Sequence, residues 1–247
     1  MTPRDASVAV VGAGDFIGAA IAERFAAEGY RVFGGRRRGD QLQALGERIA
    51  AAGGRFEGRS LDARDESRVA AFIAEADADQ HLEAVIFNIG ANVNFPILET
   101  TERVFHKVWE MACEGGFLTG REAARAMLAR GSGSIFFTGA TASVRGGAGY
   151  AAFASAKAGL RAVAQAMARE LGPKNIHVAH LVIDAGVDTA FVRQRIVAAR
   201  GEGALSALTP DTLMKPASIA EAYWRLHTQS RDAWTFELDL RPFGETW

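Results

Sequence analysis

The sequence predicts an α/β fold: one doubly wound parallel sheet of about seven strands with helices on both faces. Three observations carry this. Short apolar runs alternate with amphipathic helical patterns along most of the chain. The runs are continuous, as strands buried on both sides require. The first of them, Val8-Ala-Val-Val11, feeds a glycine turn and then apolar residues at Ile17, Ile21 and Phe25, which is a strand, a tight turn and a helix.

The strand runs fall at residues 8–11, 31–33, 54–61, 84–88, 134–138, 176–183 and 235–240. A helix over 19–28 follows the first. Leu42, Leu45 and Ile49 form the stripe of a second helix, and Val69, Phe72 and Ile73 that of a third. One long helix is predicted over 104–130, and Leu160, Val163, Met167 and Leu171 mark the next. Right-handed crossovers connect such units. Residues 189–218, with Gly201, Gly203 and two prolines, lack periodicity and read as a lid or substrate loop. No repeat or linker divides the chain, so residues 1–247 are expected to form a single domain.

Composition narrows the function classes. Apolar residues make up 49% of the 247, enough for a large core, and no run approaches the roughly 20 residues of a membrane span. The first strand begins too early to leave room for a signal peptide. One cysteine, Cys113, excludes an internal disulfide, and no His, Cys, Asp or Glu spacing suggests a metal. A net charge of −1 argues against nucleic acid as the main partner. The expectation is a cytoplasmic protein acting on a small molecule, with neither membrane nor nucleic acid as partner.

In a doubly wound sheet, ligands bind beyond the carboxyl ends of the strands, so those ends form one surface. After strand 1 comes Gly12-Ala-Gly-Asp-Phe-Ile-Gly18, whose glycines Gly12, Gly14 and Gly18 have the spacing GxGxxxG. Its backbone N–H groups, with the helix dipole, suit a pyrophosphate. Glycine turns after strands also serve packing alone. After strand 2 come Gly34, Gly35 and Arg36-Arg-Arg38; elsewhere such a basic run would read as a solvated loop. Strand 3 ends in Leu61-Asp62, strand 4 in Asn88-Ile-Gly90 and strand 5 in Thr138-Gly-Ala-Thr141. Glycines, arginines, an aspartate and an asparagine on one rim point to a dinucleotide. Arginine after strand 2 accommodates a 2′-phosphate where NAD sites usually place a carboxylate. Arg36 and Arg37 therefore favour NADP(H) over NAD(H). Asp15 in the glycine turn opposes this if it faces the same pocket.

The chain resembles the short-chain dehydrogenase/reductase family over roughly residues 6–230. The glycine turn, Asp62, the Asn88-Ile-Gly90 segment, Tyr150 to Lys157 on a helix and Val187-Asp-Thr189 carry the likeness. It implies a Rossmann domain that binds NAD(P). Gly12, Gly14, Asp15, Phe16, Ile17 and Gly18 would then hold the diphosphate, with Leu61 and Asp62 at the adenine and Asn88 and Gly90 beside the central strand. Lys157 would meet the nicotinamide ribose, and Val187 and Thr189 the carboxamide. It also implies a homodimer or homotetramer built on the two long helices.

The family's chemistry uses Asn, Ser, Tyr and Lys. Here the tyrosine position, four before Lys157, is Phe153; the serine falls on Ala140 and the asparagine on Ala112. Only the lysine remains, and phenylalanine has no proton to give. Phe16 also replaces the turn's middle glycine, and Asp184-Ala185-Gly186 replaces a usual Pro-Gly. Three residues are candidates beside Lys157. Tyr150 either reaches the substrate or is a rim tyrosine; Thr141 either donates to a carbonyl or caps local backbone; Asp184 is the acidic candidate. His177 and His180 read as core groups before substrate contacts, and Cys113 as buried and inert. Trp224, Trp234, Phe236, Phe243 and Trp247 read as closing the core or an interface.

Two function classes stand. One is an NADP(H)-dependent oxidoreductase that moves hydride to or from a small carbonyl or alcohol substrate with an atypical proton source. The other is a nucleotide-binding or regulatory protein that has lost catalysis. A scaffold without nucleotide is the third and barest.

Overall fold

A computed structural model describes residues 2–78 and 80–245. Seven strands form one sheet in the order β3-β2-β1-β4-β5-β6-β7, every pair parallel. The strands are β1 (Ala6–Val11), β2 (Arg31–Arg36), β3 (Arg55–Ser60), β4 (His81–Phe87), β5 (Gly133–Thr138), β6 (Ile176–Ile183) and β7 (Glu237–Leu240). The order reverses between β1 and β4, which opens a crevice beyond their carboxyl ends.

Helices α1 (Ile17–Ala27), α2 (Gln43–Ala51) and α8 (Pro216–His227) cover one face. Helices α3 (Glu66–Ala78), α5 (Gly115–Arg130) and α6 (Ala151–Leu171) cover the other. β1 and β6 are buried along their whole length, which explains their unbroken apolar runs. At the edge, β7 is fastened through Glu237, whose carboxylate takes both Nε and Nη2 of Arg161 on α6 at 2.5 and 2.8 Å.

Three expectations need correction. The helix expected over 104–130 is two helices, α4 (Glu102–Trp109) and α5, joined by a π turn over Glu110–Glu114. The wider turn shifts the buried face by one residue where the backbone must come closest to the sheet. A Cβ at Gly116 would lie 2.3 Å from Leu160 and 3.2 Å from Phe87. Residues 189–218 are not an unpatterned loop, since they contain α7 (Ala190–Arg200). Thr189 caps it, its hydroxyl oxygen accepting from Val192 N at 3.1 Å, and none of its residues is buried. A helix with no apolar face toward the core leaves no stripe for periodicity to find. Phe243 does not close the core, for it is 98% exposed, whereas Trp224 packs edge-on against Phe25 and Trp234 stacks on His177. Trp247 lies outside the described residues.

Gly34 and Gly35, expected as part of the rim, are interior residues of a β2 that runs on to Arg36. A Cβ on either would strike Phe56 or Leu61 at 2.5–2.6 Å, so both serve packing.

Candidate functional site

The β1–α1 turn is built by close backbone approach. Gly12 has φ +95°, and its N–H and that of Ala13 both donate to Gly35 O. A Cβ on Gly12 would lie 2.5 Å from Asn88 O, and one on Gly18 would lie 2.3 Å from Gly12 O. Gly14 differs, since an added Cβ there, as at Gly90, meets nothing within 4 Å. Phe16 stands at the N-cap of α1, 39% exposed, and supplies no side-chain cap. Ala19 N donates back to Gly14 O at 2.8 Å, which leaves the N–H groups of Ile17 and Gly18 at the helix start to face an incoming anion.

Behind the turn, a hydrogen-bond chain fixes the ends of three strands. Asn88 Nδ2 donates to Gly12 O at 3.1 Å, and Asn88 Oδ1 accepts from Thr138 Oγ1 at 3.0 Å. Thr138 Oγ1 in turn lies 2.6 Å from the hydroxyl of Tyr223 on α8. Burial pushes the Tyr223 phenol upward, so it stays a donor. Its sequence context, an apolar face of a helix, gave no sign of this link.

On the β2 side, Arg36 pairs with Asp15 at 2.7 Å, so Asp15 stands against the arginine expected to take the 2′-phosphate. Arg37 and Arg38 are exposed. After β3, Asp62 holds Arg64 through two bonds at 2.6 and 2.9 Å and accepts the Arg64 N–H. Arg64 holds the Asp62 carboxyl down at about 2. Leu61 beside it is buried.

Lys157 is 2% exposed. Its Nζ donates to Ile89 O at 2.9 Å and Thr138 O at 2.7 Å, tying the carboxyl ends of β4 and β5 together. Burial pushes the amine down to about 7. Phe153, one turn earlier on α6, is buried with Ala112, Cys113 and Ala156, and Ala140 packs on the same cluster. The π turn carries Ala112, and burial pushes the Cys113 thiol up.

A lysine depressed from its ordinary value near 10.4 to about 7 is neutral in the fold and charged when unfolded between those limits. The unfolded chain then binds more protons, so stability from this group rises with pH across that window and its cost is full below it. The stability difference between wild type and Lys157→Met is expected to shift toward wild type by about 3 kcal/mol from about pH 7 to about pH 10. Urea midpoints of the two chains at each pH check this; a flat difference means the amine titrates at its ordinary value.

Thr141 follows Ala140 on a short turn, half-buried, and donates to Asp184 Oδ1 at 2.5 Å. Asp184, 5% exposed at the end of β6, also meets Arg145 at 3.5 Å and Arg241 at 3.4 Å. Sequence flagged Thr141 and Asp184 separately; their union depends on β5 and β6 being neighbours. Tyr150 precedes α6 with its hydroxyl 3.5 Å from Arg195 on α7. It lies two helical turns, about 10 Å, from Lys157 along the axis. Val187 bridges to Met214, and Thr189 caps α7.

The histidines belong to the core. His177 Nε2 meets Thr235 O at 2.8 Å, and His180, fully buried and pushed down to about 4, faces Glu237 at 3.1 Å through Nδ1. Among the described residues no group of three or more His, Cys, Asp or Glu is placed to hold a metal, and no helix is long and apolar enough to cross a membrane. The open space at Gly14 and Gly90, the uncapped turn and the arginine rim fit a dinucleotide.

Comparison with known proteins agrees with that geometry. The family model described as short chain dehydrogenase matches residues 6–198. The 3-oxoacyl-[acyl-carrier-protein] reductase MabA of Mycobacterium tuberculosis (strain ATCC 25618 / H37Rv) is 30% identical over 218 residues, 87% of this chain and 82% of the relative. Among solved structures, a short-chain dehydrogenase from Rhodopseudomonas palustris is 60% identical with a TM-score of 0.84, covering 98% of this chain and 100% of its own. An alcohol dehydrogenase from the archaeon Thermococcus sibiricus, complexed with 5-hydroxy-NADP, is 26% identical with a TM-score of 0.81 and covers 98% of each chain.

Proposed function

The chain belongs to the short-chain dehydrogenase family, and from that premise we propose that it is an NADP(H)-dependent oxidoreductase acting on a small carbonyl or alcohol substrate with an atypical proton source. When bound, the nicotinamide supplies hydride chemistry. The residues of this chain do the rest. The first turn of α1 and Gly14 receive the diphosphate, Arg36 and Arg37 the 2′-phosphate, and Leu61 and Asp62 the adenine. Asn88, Gly90 and Lys157 hold the ribose side of the cleft, while Val187 and Thr189 meet the carboxamide and carry α7 over the mouth as a lid.

The observation that carries the proposal is Lys157. A lysine amine buried to 2% exposure, held by two carbonyls and no carboxylate, is costly to keep unless the cleft uses it. What the site lacks is the family's proton relay, since Phe153, Ala140 and Ala112 are apolar where resemblance puts Tyr, Ser and Asn. Those three residues favour the second reading, a nucleotide-binding protein without catalysis. The apolar face formed by Phe105 and Trp109 on α4 and Phe117 on α5, each about two-fifths exposed, supports assembly as a homodimer or homotetramer.

Fluorescence titration with NADPH and NADH tests the cofactor, and nicotinamide absorbance over a panel of ketones and secondary alcohols tests the reaction. Saturable NADPH binding with turnover is expected. Binding without turnover of any member leaves the non-catalytic reading, and no binding by either cofactor leaves neither. Because Asp15 already neutralises Arg36, a 2′-phosphate must compete for it. Asp15→Asn is expected to tighten NADPH about 3- to 5-fold and leave NADH unchanged, with the gain fading at high salt. Equal changes for both cofactors would place the phosphate elsewhere.

A further inference from the structure

The cleft end of Lys157 is short of polar side chains. Phe153, one turn before Lys157 on α6, packs in an apolar cluster with Ala140 from the β5 end. Ser143 is buried, and its Oγ accepts from Ala140 N at 3.1 Å, so it serves the turn. The Tyr150 hydroxyl accepts from Arg195 Nη2 at 3.5 Å and stands two turns, roughly 10 Å, from Lys157, too far to share its end of the cleft. Thr141 is the remaining hydroxyl at the carboxyl end of β5, three residues beyond the Thr138 carbonyl that Lys157 holds.

Its proton is already committed. Thr141 Oγ1 donates to Asp184 Oδ1 at 2.5 Å, a charge-assisted bond shorter than neutral ones. Asp184 stays in place because Arg145 on the same turn and Arg241 after β7 both pair with it, and Asp239 braces Arg241 from the far side. The Asp184 N–H donates to Leu240 O at 2.8 Å, which fixes the backbone as well. A threonine hydroxyl that donates to a carboxylate presents only lone pairs on its open side. Such an oxygen can accept a hydrogen bond but cannot give one to a carbonyl.

We propose that Thr141, oriented by Asp184, is an acceptor seat for the substrate's hydroxyl group, so that this site recognises the alcohol member of its carbonyl/alcohol pair. The proposal rests on the oxidoreductase reading above and gives it a direction of recognition. Thr141 touches the substrate; Asp184 is a positioning residue that acts through it. A substrate oxygen bearing a proton finds a partner here, whereas a bare ketone meets an acceptor facing an acceptor. An alcohol with a second, neighbouring hydroxyl gains further, because Thr141 Oγ has two lone pairs to offer.

Binding in the absence of reaction tests this. The full chain is loaded with NADPH, and cyclohexanol, 1,2-cyclohexanediol, cyclohexanone and cyclohexyl methyl ether are titrated separately by quenching of cofactor fluorescence; the alcohols and the ether cannot be reduced, and the ketone is read before turnover. The two alcohols are expected to bind at least tenfold more tightly than the ether and the ketone. Thr141→Val should erase that margin, Thr141→Ser should keep it within about threefold, and Asp184→Asn should shrink it because the amide can turn its own donor toward Thr141. NADPH affinity of all three variants should match wild type, which separates the seat from a general loss of fold. A margin that survives Thr141→Val, or alcohols that bind no better than the ether, overturns the seat while leaving the oxidoreductase reading intact. Failure of wild type to bind NADPH overturns that reading and the seat with it.

Discussion

Phe153→Tyr is expected to raise the rate of NADPH-dependent carbonyl reduction by about 10²-fold, measured as absorbance loss over the ketone panel. The residue lies one helical turn before Lys157 on the same face of α6, so a phenol there stands beside the buried amine. A positioned proton donor is worth about 10²–10⁴ in rate, and the present ring supplies none. The ring is already buried among Ala112, Cys113 and Ala156, so one added oxygen is a small change in volume. Adding Ala140→Ser at the end of β5 should increase the gain further, by giving the substrate oxygen a second donor. The control is NADPH affinity, expected to be the same in all variants. Unchanged rate with intact cofactor binding would mean that the reacting carbon does not sit beside residue 153.

Gly12→Ala is expected to cost about 3–4 kcal/mol and to lower the melting temperature by about 10 °C. Two separate penalties combine. The backbone at φ +95° is one that L side chains rarely adopt, and the new methyl would lie 2.5 Å from Asn88 O and 2.9 Å from the Ile89 side chain. Neither can retreat easily, since Asn88 N donates to Val11 O and Ile89 O accepts from Lys157. Gly14→Ala is the paired measurement. With no atom within 4 Å of its Cβ, it should melt close to wild type yet loosen NADPH about tenfold, because the methyl projects where the phosphates approach. A Gly12→Ala chain that melts with wild type would mean the turn relaxes away from β4. A Gly14→Ala chain with unaltered NADPH affinity would move the diphosphate off this turn.

Much of the molecule was legible beforehand, for identifiable reasons. All seven strands are legible, with errors only at their ends: β1, β4, β5 and β6 are largely buried and leave apolar runs, whereas β3 and β7 are only partly buried and leave mixed ones. A 3.6-residue stripe makes α1, α2, α3 and α6 legible; α8, which also packs on the sheet, is not among the predicted helices. Helix α7 buries nothing and leaves no stripe, so its sequence reads as loop. The π turn was invisible because an extra residue in a helix shifts the phase of an apolar pattern that already had small residues on several sides. Gly34 and Gly35 read as ligand rim because glycine type alone cannot separate room for a ligand from room for Phe56 and Leu61.

The sequence by itself determined the parallel sheet, the rim of glycines and arginines at its carboxyl edge, and the absence of a hydroxyl at position 153. These are local properties, carried by residue type and spacing along the chain. Only the tertiary structure decided that Asp15 answers Arg36, that Asp184 takes the proton of Thr141, and that Tyr223 completes the chain holding Gly12. Each joins residues 21 to 85 positions apart. Such pairs form because strand order and helix docking bring distant side chains within 3 Å, and a hydrogen bond exists only at that distance, whatever the sequence separation.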